Sequence, residues 1–450
     1  MACASAAVSE SPEAVILSVA RNSTRLLLLL LLLVTPSGIF ANGFDIYEQS
    51  ARAVGLGGAF TAQADDPSAV FFNPAGIVQL EGTQVSIGAC PIMPTMKFKS
   101  DGNPTMGTFP GQTWKIRENT WVMPNAYVTH RVSEHIALGL GMFSHFGLGV
   151  EWPADFEGRF SPGSNKAILK TTSVSPVIAV KPSERFSVGV GPYLQYFNIQ
   201  LRNKAFIGLP APPLSPDRNL NQTADAELNG TNWGWGYNAG IRVQLAEHVF
   251  FGASYISEVR QHITDGTQTI TSSATGQAIG RQDFSAAITL PAKLRTGLAW
   301  KRHPWAIEVG AEWTEWSSYR VLRADFADGT FLESDKHWHN VWMYRLGAQY
   351  SFNRYIDLRA AFLFDESPIP SDTVDALVPS GDRSVLCLGV GVHLGRLTVD
   401  VGYNHVWDRK RRWDNPSGNV NLGAFPLTRV TGRFQNAYAD LFAVNATYRF

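Results

Sequence analysis

The chain has 450 residues, with 38 basic and 38 acidic side chains and a formal net charge of zero. That balance leaves no electrostatic footprint for nucleic acid or for an acidic partner. Aromatic residues reach 12%, with 13 Trp and 40 Gly, and charged residues only 17%, a mixture that suits strands with one face in lipid. Mean hydropathy is −0.07, and beyond the N-terminus no apolar stretch approaches the roughly 18 to 20 residues of a membrane-crossing helix. A helical membrane protein is excluded; a β-barrel is not.

At the N-terminus, Arg21 and Arg25 precede an apolar run from Leu26 to Val34, then Pro36-Ser37-Gly38 and Ile39-Phe40-Ala41. A basic flank, a short apolar core and a small residue at the cut site form an export signal. The expected division is therefore signal peptide 1–41, N-terminal hatch 42–82 and barrel 83–450. Cys3 leaves with the leader, and Cys90 and Cys387 lie far apart. They form no disulfide framework, and no Cys/His spacing suggests zinc. No cofactor is expected.

Residues 42–82 do not alternate. Gly55-Leu56-Gly57-Gly58-Ala59-Phe60, Asp65-Asp66-Pro67 and Phe71-Phe72-Asn73-Pro74-Ala75-Gly76 read as a compact plug of short helices and turns. A barrel of about fourteen strands leaves a lumen wide enough to hold one.

From residue 83 onward, alternating segments take over, near 83–98, 119–132, 135–152, 165–181, 185–201, 232–246, 248–261, 283–300, 304–317, 338–352, 354–366, 383–394, 396–408 and 437–450. In the last, Phe442, Val444, Ala446, Tyr448 and Phe450 share one face, and Leu441, Ala443, Asn445, Thr447 and Arg449 the other. Period two separates a lipid face from a lumen face. Short connections (Ser133-Glu134, Pro182 to Glu184, Ala246-Glu247, Arg302-His303, Asn353-Arg354, Gly395) fall strictly between long ones. This rhythm predicts an all-β fold: a transmembrane antiparallel β-barrel of about 14 strands in the bacterial outer membrane, both ends periplasmic. The barrel is expected to be a monomer, and a closing strand ending in Phe450 is what the outer-membrane assembly machinery reads. Lys293, Arg295, Glu308, Glu312 and Arg345 should share the lumen face of three successive strands as a charge network.

The N-terminal motifs resemble the FadL/TodX family of outer-membrane hydrophobic-compound transporters. The resemblance rests on Gly43-Phe44, Gly55-Leu56-Gly57-Gly58-Ala59, Asp65-Asp66-Pro67-Ser68-Ala69 and Asn73-Pro74-Ala75, joined by Phe146-Gly147-Leu148-Gly149-Val150-Glu151-Trp152 and Leu290-Pro291. It implies a fourteen-stranded barrel with an N-terminal hatch inside the lumen. It also implies passive transport of long-chain fatty acids or similar hydrophobic compounds. Ligand would adhere to an apolar outer groove, enter a pocket, and leave sideways where a kinked third strand opens the wall once the N-terminus rearranges. Asn73, Pro74 and Ala75 match the hatch motif, and Gly147 is the candidate for the kink. The corner set by Asn73 and Pro74 is expected beside that third strand. Uptake of aromatic hydrocarbons is the alternative within transport; a general diffusion porin is the alternative outside it, and the plug argues against it.

Phe206, Ile207, Leu209 and Leu214 are candidates for the outer groove, since apolar residues clustered in an exposed loop mark a binding surface or pack the loop on itself. Arg409-Lys410-Arg411-Arg412 is either a solvated loop or a contact for lipopolysaccharide phosphates. His337-Trp338-His339 reads as a surface loop or interface segment rather than a metal site. Gly55-Leu56-Gly57-Gly58 lacks the strand, Lys and helix of a phosphate loop. No nucleophile, base and orienting group converge; Ser144 and His145, as strand neighbours, would point apart, so no enzyme is expected.

Overall fold

In hydrocarbon no water bonds a bare amide, so a sheet must leave no free edge. The computed structural model describes residues 43–161, 163–207, 223–416, 419–422 and 425–450; the expected signal peptide, 1–41, lies outside them. Fourteen antiparallel strands form the wall. The first eight are β1 (Thr83–Ser100), β2 (Trp121–Arg131), β3 (Ile136–Phe143 and Gly147–Glu151), β4 (Lys166–Ser183), β5 (Phe186–Phe206), β6 (Thr223–Ala246), β7 (Val249–Ile256 and Val259–Ser272) and β8 (Ala278–Leu290 and Lys293–Arg302). The others are β9 (Trp305–Thr314), β10 (Val341–Asn353), β11 (Ile356–Asp365), β12 (Arg383–Leu394), β13 (Leu397–Asp408) and β14 (Gly432–Arg449). Each pairs with its neighbour in sequence, and β14 returns to β1 from Gln84↔Arg449 to Ser100↔Gly432. The barrel is closed.

Every alternating segment of the sequence is a strand, but several strands run further outward than the alternation does. β6 starts at Thr223 and β7 continues to Ser272. A further hairpin, Val321–Phe326 with Phe331–Asp335, prolongs the wall next to β8. Above the lipid both faces of a strand meet water or loops, so polar residues occupy both and period two fades. β8 breaks at Pro291, which has no N–H for the ladder.

The two faces are as the alternation requires. Leu358, Val401, Phe362, Phe442, Val444, Tyr448 and Phe450 lie exposed on the outer face, whereas Leu441, Ala443, Asn445 and Asp400 are buried. Inside, Glu312 accepts from Arg295 Nε (2.6 Å) and Arg345 Nη2 (3.0 Å) across three strands. The other two members of the expected network turn to the hatch. Lys293 pairs with Asp45, and Glu308 accepts from the backbone N–H groups of Ala62 and Gln63, both at 2.9 Å.

Glu312, Arg295 and Arg345 are each at most 5% exposed, so removing the anion strands two buried cations. Glu312→Gln should therefore cost about 3 to 5 kcal/mol of barrel stability. A denaturant midpoint in detergent unchanged from wild type would refute the assignment.

Candidate functional site

The lumen is filled by the chain's own N-terminal segment. Its helices α1 (Ala51–Gly55) and α2 (Ala69–Phe72) are too short to stand alone, and the wall holds them. Asn445 Oδ1 accepts from Ala51 N (2.7 Å), Asn238 Nδ2 donates to Val70 O (3.0 Å) and Arg295 Nη1 to Phe71 O (3.1 Å). At the periplasmic side Asp65 meets Arg52 (2.9 Å) and Lys301 (2.6 Å); these cations hold its carboxyl below the usual range against the effect of burial.

Asn73-Pro74-Ala75 forms the corner its chemistry predicts. Pro74 opens a 3₁₀ turn, Pro74–Gln79, and Asn73 Oδ1 caps it by accepting from Ala75 N (3.2 Å). Asn73 Nδ2 donates to Thr61 O and Ile241 O, each at 2.9 Å, and Ser187 Oγ donates to Ala75 O (2.9 Å). Its location differs from the expectation. The corner lies against β5 and β6, where a Cβ at Gly240 would come within 2.1 Å of Asn73 Oδ1 and one at Gly189 within 2.4 Å of Pro74. The motif seats the plug away from the break in β3.

The partner of that break is the strap Gly43–Ser50. The β2–β3 ladder runs from Arg131↔Ala137 to Ala126↔Met142 and stops. Beyond Phe143, β3 turns inward for three residues and resumes at Gly147 paired with β4 alone, from Gly147↔Lys170 to Glu151↔Lys166. The inward residues bond the strap: Ile46 N donates to His145 O (3.1 Å) and Gly147 N to Phe44 O (3.0 Å). Gly147 is therefore the landing point of the strap rather than the bend itself. A Cβ there would meet Ile46 Cδ1 at 2.4 Å.

Phe44 anchors the strap in a box of Phe146, Trp316, Tyr319 and Trp338, with ring centroids 6.0, 4.7, 5.9 and 5.7 Å away. Trp338 thus belongs to the interior (4% exposed), not to the surface segment its two flanking histidines suggest. Arg383 Nη2 donates to Gly43 O (3.1 Å), and the buried Lys293–Asp45 pair pins the next residue.

On the wall, Trp121 to Pro124 of β2 pair with β1 only. Pro124 falls in this one-sided stretch, where a missing N–H is tolerated. The gap between β2 and the upper half of β3 is spanned by the Trp121 indole, which lies on Gly149: a Cβ there would be 2.1 Å from Trp121 Cε2. Lys170 Nζ stands 5.6 Å from the ring centre. Behind the indole opens a cavity of about 200 Å³ lined by the strap, by Ile92, Met96 and Met123, by Gly147 to Val150, and by Val378 and Leu441. It is mostly apolar, and it touches both the strap and the gap.

Other sequence candidates fall elsewhere. Phe206 ends β5 with its ring stacked on Phe160 (4.3 Å, 11°), and Ile207 is exposed; Leu209 and Leu214 lie outside the described residues. The basic run after β13 is largely engaged by its own loops. Arg409 meets Asp382 (3.3 Å), Arg411 donates to Ile369 O (2.7 Å), and Arg412 meets Asp101 (2.9 Å) and Asp414 (3.2 Å); Lys410 is exposed. Ser144 and His145 are not on a strand; His145 Nδ1 hydrogen-bonds Ser173 Oγ (3.0 Å). Reasoning from sequence missed Trp316, Tyr319 and Arg383, because a loop and a strand end remote in sequence bring them to Phe44 and Gly43.

A closed barrel plugged by its own N-terminus, with the ladder between β2 and β3 interrupted beside an apolar cavity, is a transport barrel of the bacterial outer membrane rather than an open pore. The family model described as outer membrane protein transport protein (OMPP1/FadL/TodX) matches residues 32–450, and the chain belongs to that family. It is 26% identical over 451 residues to the long-chain fatty acid transport protein of Salmonella typhi, covering 95% of this chain and 98% of that one. Its fold is similar to a Pseudomonas aeruginosa FadL homologue (TM-score 0.78, 19% identity, 91% of this chain and 100% of that one). It is also similar to the Pseudomonas putida toluene transporter TodX (TM-score 0.67, 14% identity, 91% and 100%).

Glu48 lines the cavity, and burial lifts its carboxyl from the usual 4.5 to about 7, against the pull of its own backbone hydrogen bond and of Arg383. A carboxyl raised on folding favours the folded strap below pH 4.5, and that contribution is lost as pH climbs through about 7. Hydrogen exchange across Phe44–Ser50 should accelerate between pH 5 and 8 beyond the intrinsic base-catalysed rise. Glu48→Gln should flatten that excess; an excess that persists in this variant would contradict it.

Proposed function

We propose that this barrel passes long-chain fatty acids or similarly apolar molecules from the cell exterior to its cavity and then sideways through the β2–β3 gap. The observation that carries the reading is the pairing of a filled lumen with an apolar cavity against an unzipped seam. An apolar chain in such a route stays out of water, which is worth about 0.8 kcal/mol for each CH₂; an aqueous pore would forfeit this. The relatives named above support the substrate class. The moving part is the strap: while Phe44 sits in its aromatic box, it occupies the space beside the cavity that ligand would enter.

The reading assigns Asn73-Pro74 the task of seating the plug. Replacing both by Ala should then raise leakage of small hydrophilic solutes in a liposome-swelling assay. Leakage equal to wild type would oppose that task.

The route itself is tested at Gly149. A carboxylate in a lipid-facing gap costs several kcal/mol, so Gly149→Glu should lower uptake of labelled oleate at least about tenfold in cells lacking their own carrier. Heat-modifiable migration on gels reports that the barrel is folded, and Trp121→Ala should keep uptake at or above wild type. Undiminished uptake by folded Gly149→Glu would send the ligand elsewhere. Rapid uptake of toluene with none of oleate would transfer the reading to aromatic hydrocarbons.

A further inference from the structure

Above the lipid, the seam between β14 and β1 carries a set of cations that the fold holds against its own electrostatics. On these strands Phe98 and Phe434 are almost wholly buried, which turns Lys97, Lys99 and Arg433 outward. Two short strands, Thr113–Lys115 and Arg411–Trp413, widen the same sheet; buried Trp114 and Trp413 turn Lys115 and Arg412 outward in the same way. The registers set like charges face to face. Lys97 is opposite Lys115, Lys99 is opposite Arg433, and Arg433 is opposite Arg412.

Like charges directly opposite destabilise a sheet, and here the aromatic layer behind them supplies what holds it together. Phe98 lies 5.8 Å from Trp413 and 5.1 Å from Phe434, and Trp413 stacks on Phe434 at 5.7 Å. Acidic neighbours offset only part of the charge. Glu118 pairs with Lys115; Asp101 and Asp414 take Arg412 at 2.9 and 3.2 Å, and Asp414 is shared with Arg429 at 3.3 Å. Among the described residues, Lys97, Lys99 and Arg433 have no acidic partner.

The height of the patch identifies what it meets. Tyr438, exposed on the outer face and paired with Thr95, marks the interfacial girdle. The cations begin at Lys97↔Gln435, immediately beyond it. In the outer leaflet that level holds the phosphates of its glycolipid.

We propose that Lys97, Lys99 and Arg433, flanked by Lys115 and Arg412, bind the phosphate groups of lipopolysaccharide. Guanidinium pairs with phosphate through two parallel hydrogen bonds, and ammonium adds point charge. The bound phosphates remove the repulsion between the opposed pairs, so the barrel and the glycolipid stabilise each other. Only Arg412 of the basic run after β13 takes part. The site is independent of the transport reading.

The test uses the full-length barrel in detergent, titrated with a deep-rough lipopolysaccharide and with the same lipid dephosphorylated, and bound lipid counted by native mass spectrometry. Each cation near an anionic surface contributes about 1 kcal/mol, so Lys97→Gln/Lys99→Gln/Arg433→Gln should weaken binding on the order of 100-fold. Dephosphorylated lipid should bind wild type as weakly as intact lipid binds the triple variant. Lys97→Arg/Lys99→Arg, which keeps the charge, should retain affinity. Without lipid the triple variant should unfold no earlier than wild type, since repulsion is relieved. Equal binding by wild type and triple variant, or equal binding of the two lipids by wild type, would overturn the assignment. Loss of binding in the charge-keeping variant would do so too.

Discussion

The wall depends on one constraint: a backbone group left bare in hydrocarbon costs several kcal/mol. Most of the wall meets it by continuous pairing, but the ladder lapses in places: in β4–β5 around Pro176 and Pro192, in β6–β7 between Asn229↔Thr267 and Asn238↔Ile256, and in β2–β3 beyond Ala126↔Met142. Most of the backbone groups at the β3 bend nevertheless find partners. Ser144 N donates to Gln49 Oε1 (3.1 Å), His145 O accepts from Ile46 N (3.1 Å), Phe146 N donates to Thr171 Oγ1 (3.0 Å) and Gly147 N to Phe44 O (3.0 Å). The strap supplies what β2 withholds. It is both part of the plug and the missing neighbour of β3.

That double role sets the strap apart from the body of the hatch. The body is tied by bonds to facing strands all round, through Glu308, Asn445, Asn238 and Arg242. The strap is held by Phe44, by the Asp45–Lys293 pair, by one carbonyl bonded to Arg383, by its bonds to the β3 bend, and by Tyr127 and Asn404 at Gln49 and Tyr47. Aromatic pairs are worth about 0.5 to 1.5 kcal/mol each beyond their burial, so four contacts around Phe44 amount to a few kcal/mol. A handful of methylenes entering the cavity, at about 0.8 kcal/mol each, matches that sum. An alkyl chain would therefore offset part of what holds Phe44, whose own burial comes on top of that sum, and a short polar molecule would offset less.

How much of this was legible in the sequence follows from where a single physical rule governs. Between lipid and lumen each residue has one of two fates, so alternation located the fourteen strands and gave their faces, down to Leu358 outside and Asp400 inside. Above the lipid the rule lapses, and the outer parts of β6 and β7 read as loop. Short-range chemistry was also legible: Asn73 and Pro74 make the corner that their side chains dictate. Its position against β5 and β6 was not, because Gly189 and Gly240, which admit it, are ordinary strand glycines until the barrel closes. Trp338 between two histidines reads as surface for the same reason. The contact that buries it comes from Phe44, almost 300 residues earlier in the chain. A charge run such as Arg409 to Arg412 shows its sign but not its partners, and those partners lie on other loops.

On the proposed route, the composition of the seam spreads selectivity over many side chains rather than one. From the cavity outward the lining is Ile92, Met123, Leu148, Val150 and the faces of Trp121 and Gly149, with Lys170 on the outward row of β4. The polar side chains on the way, such as Glu48, Arg383 and Lys170, are few beside this apolar lining, and each group of a polar solute left unpartnered would cost several kcal/mol. On that route a hydrocarbon has no hydrogen bonds to lose and gains wherever the lining is apolar. Discrimination by desolvation needs only that the wall stay apolar and the lumen stay filled. A seam of this kind constrains the class of side chain along it more than any one identity, whereas the strap and its anchors must fit each other atom by atom.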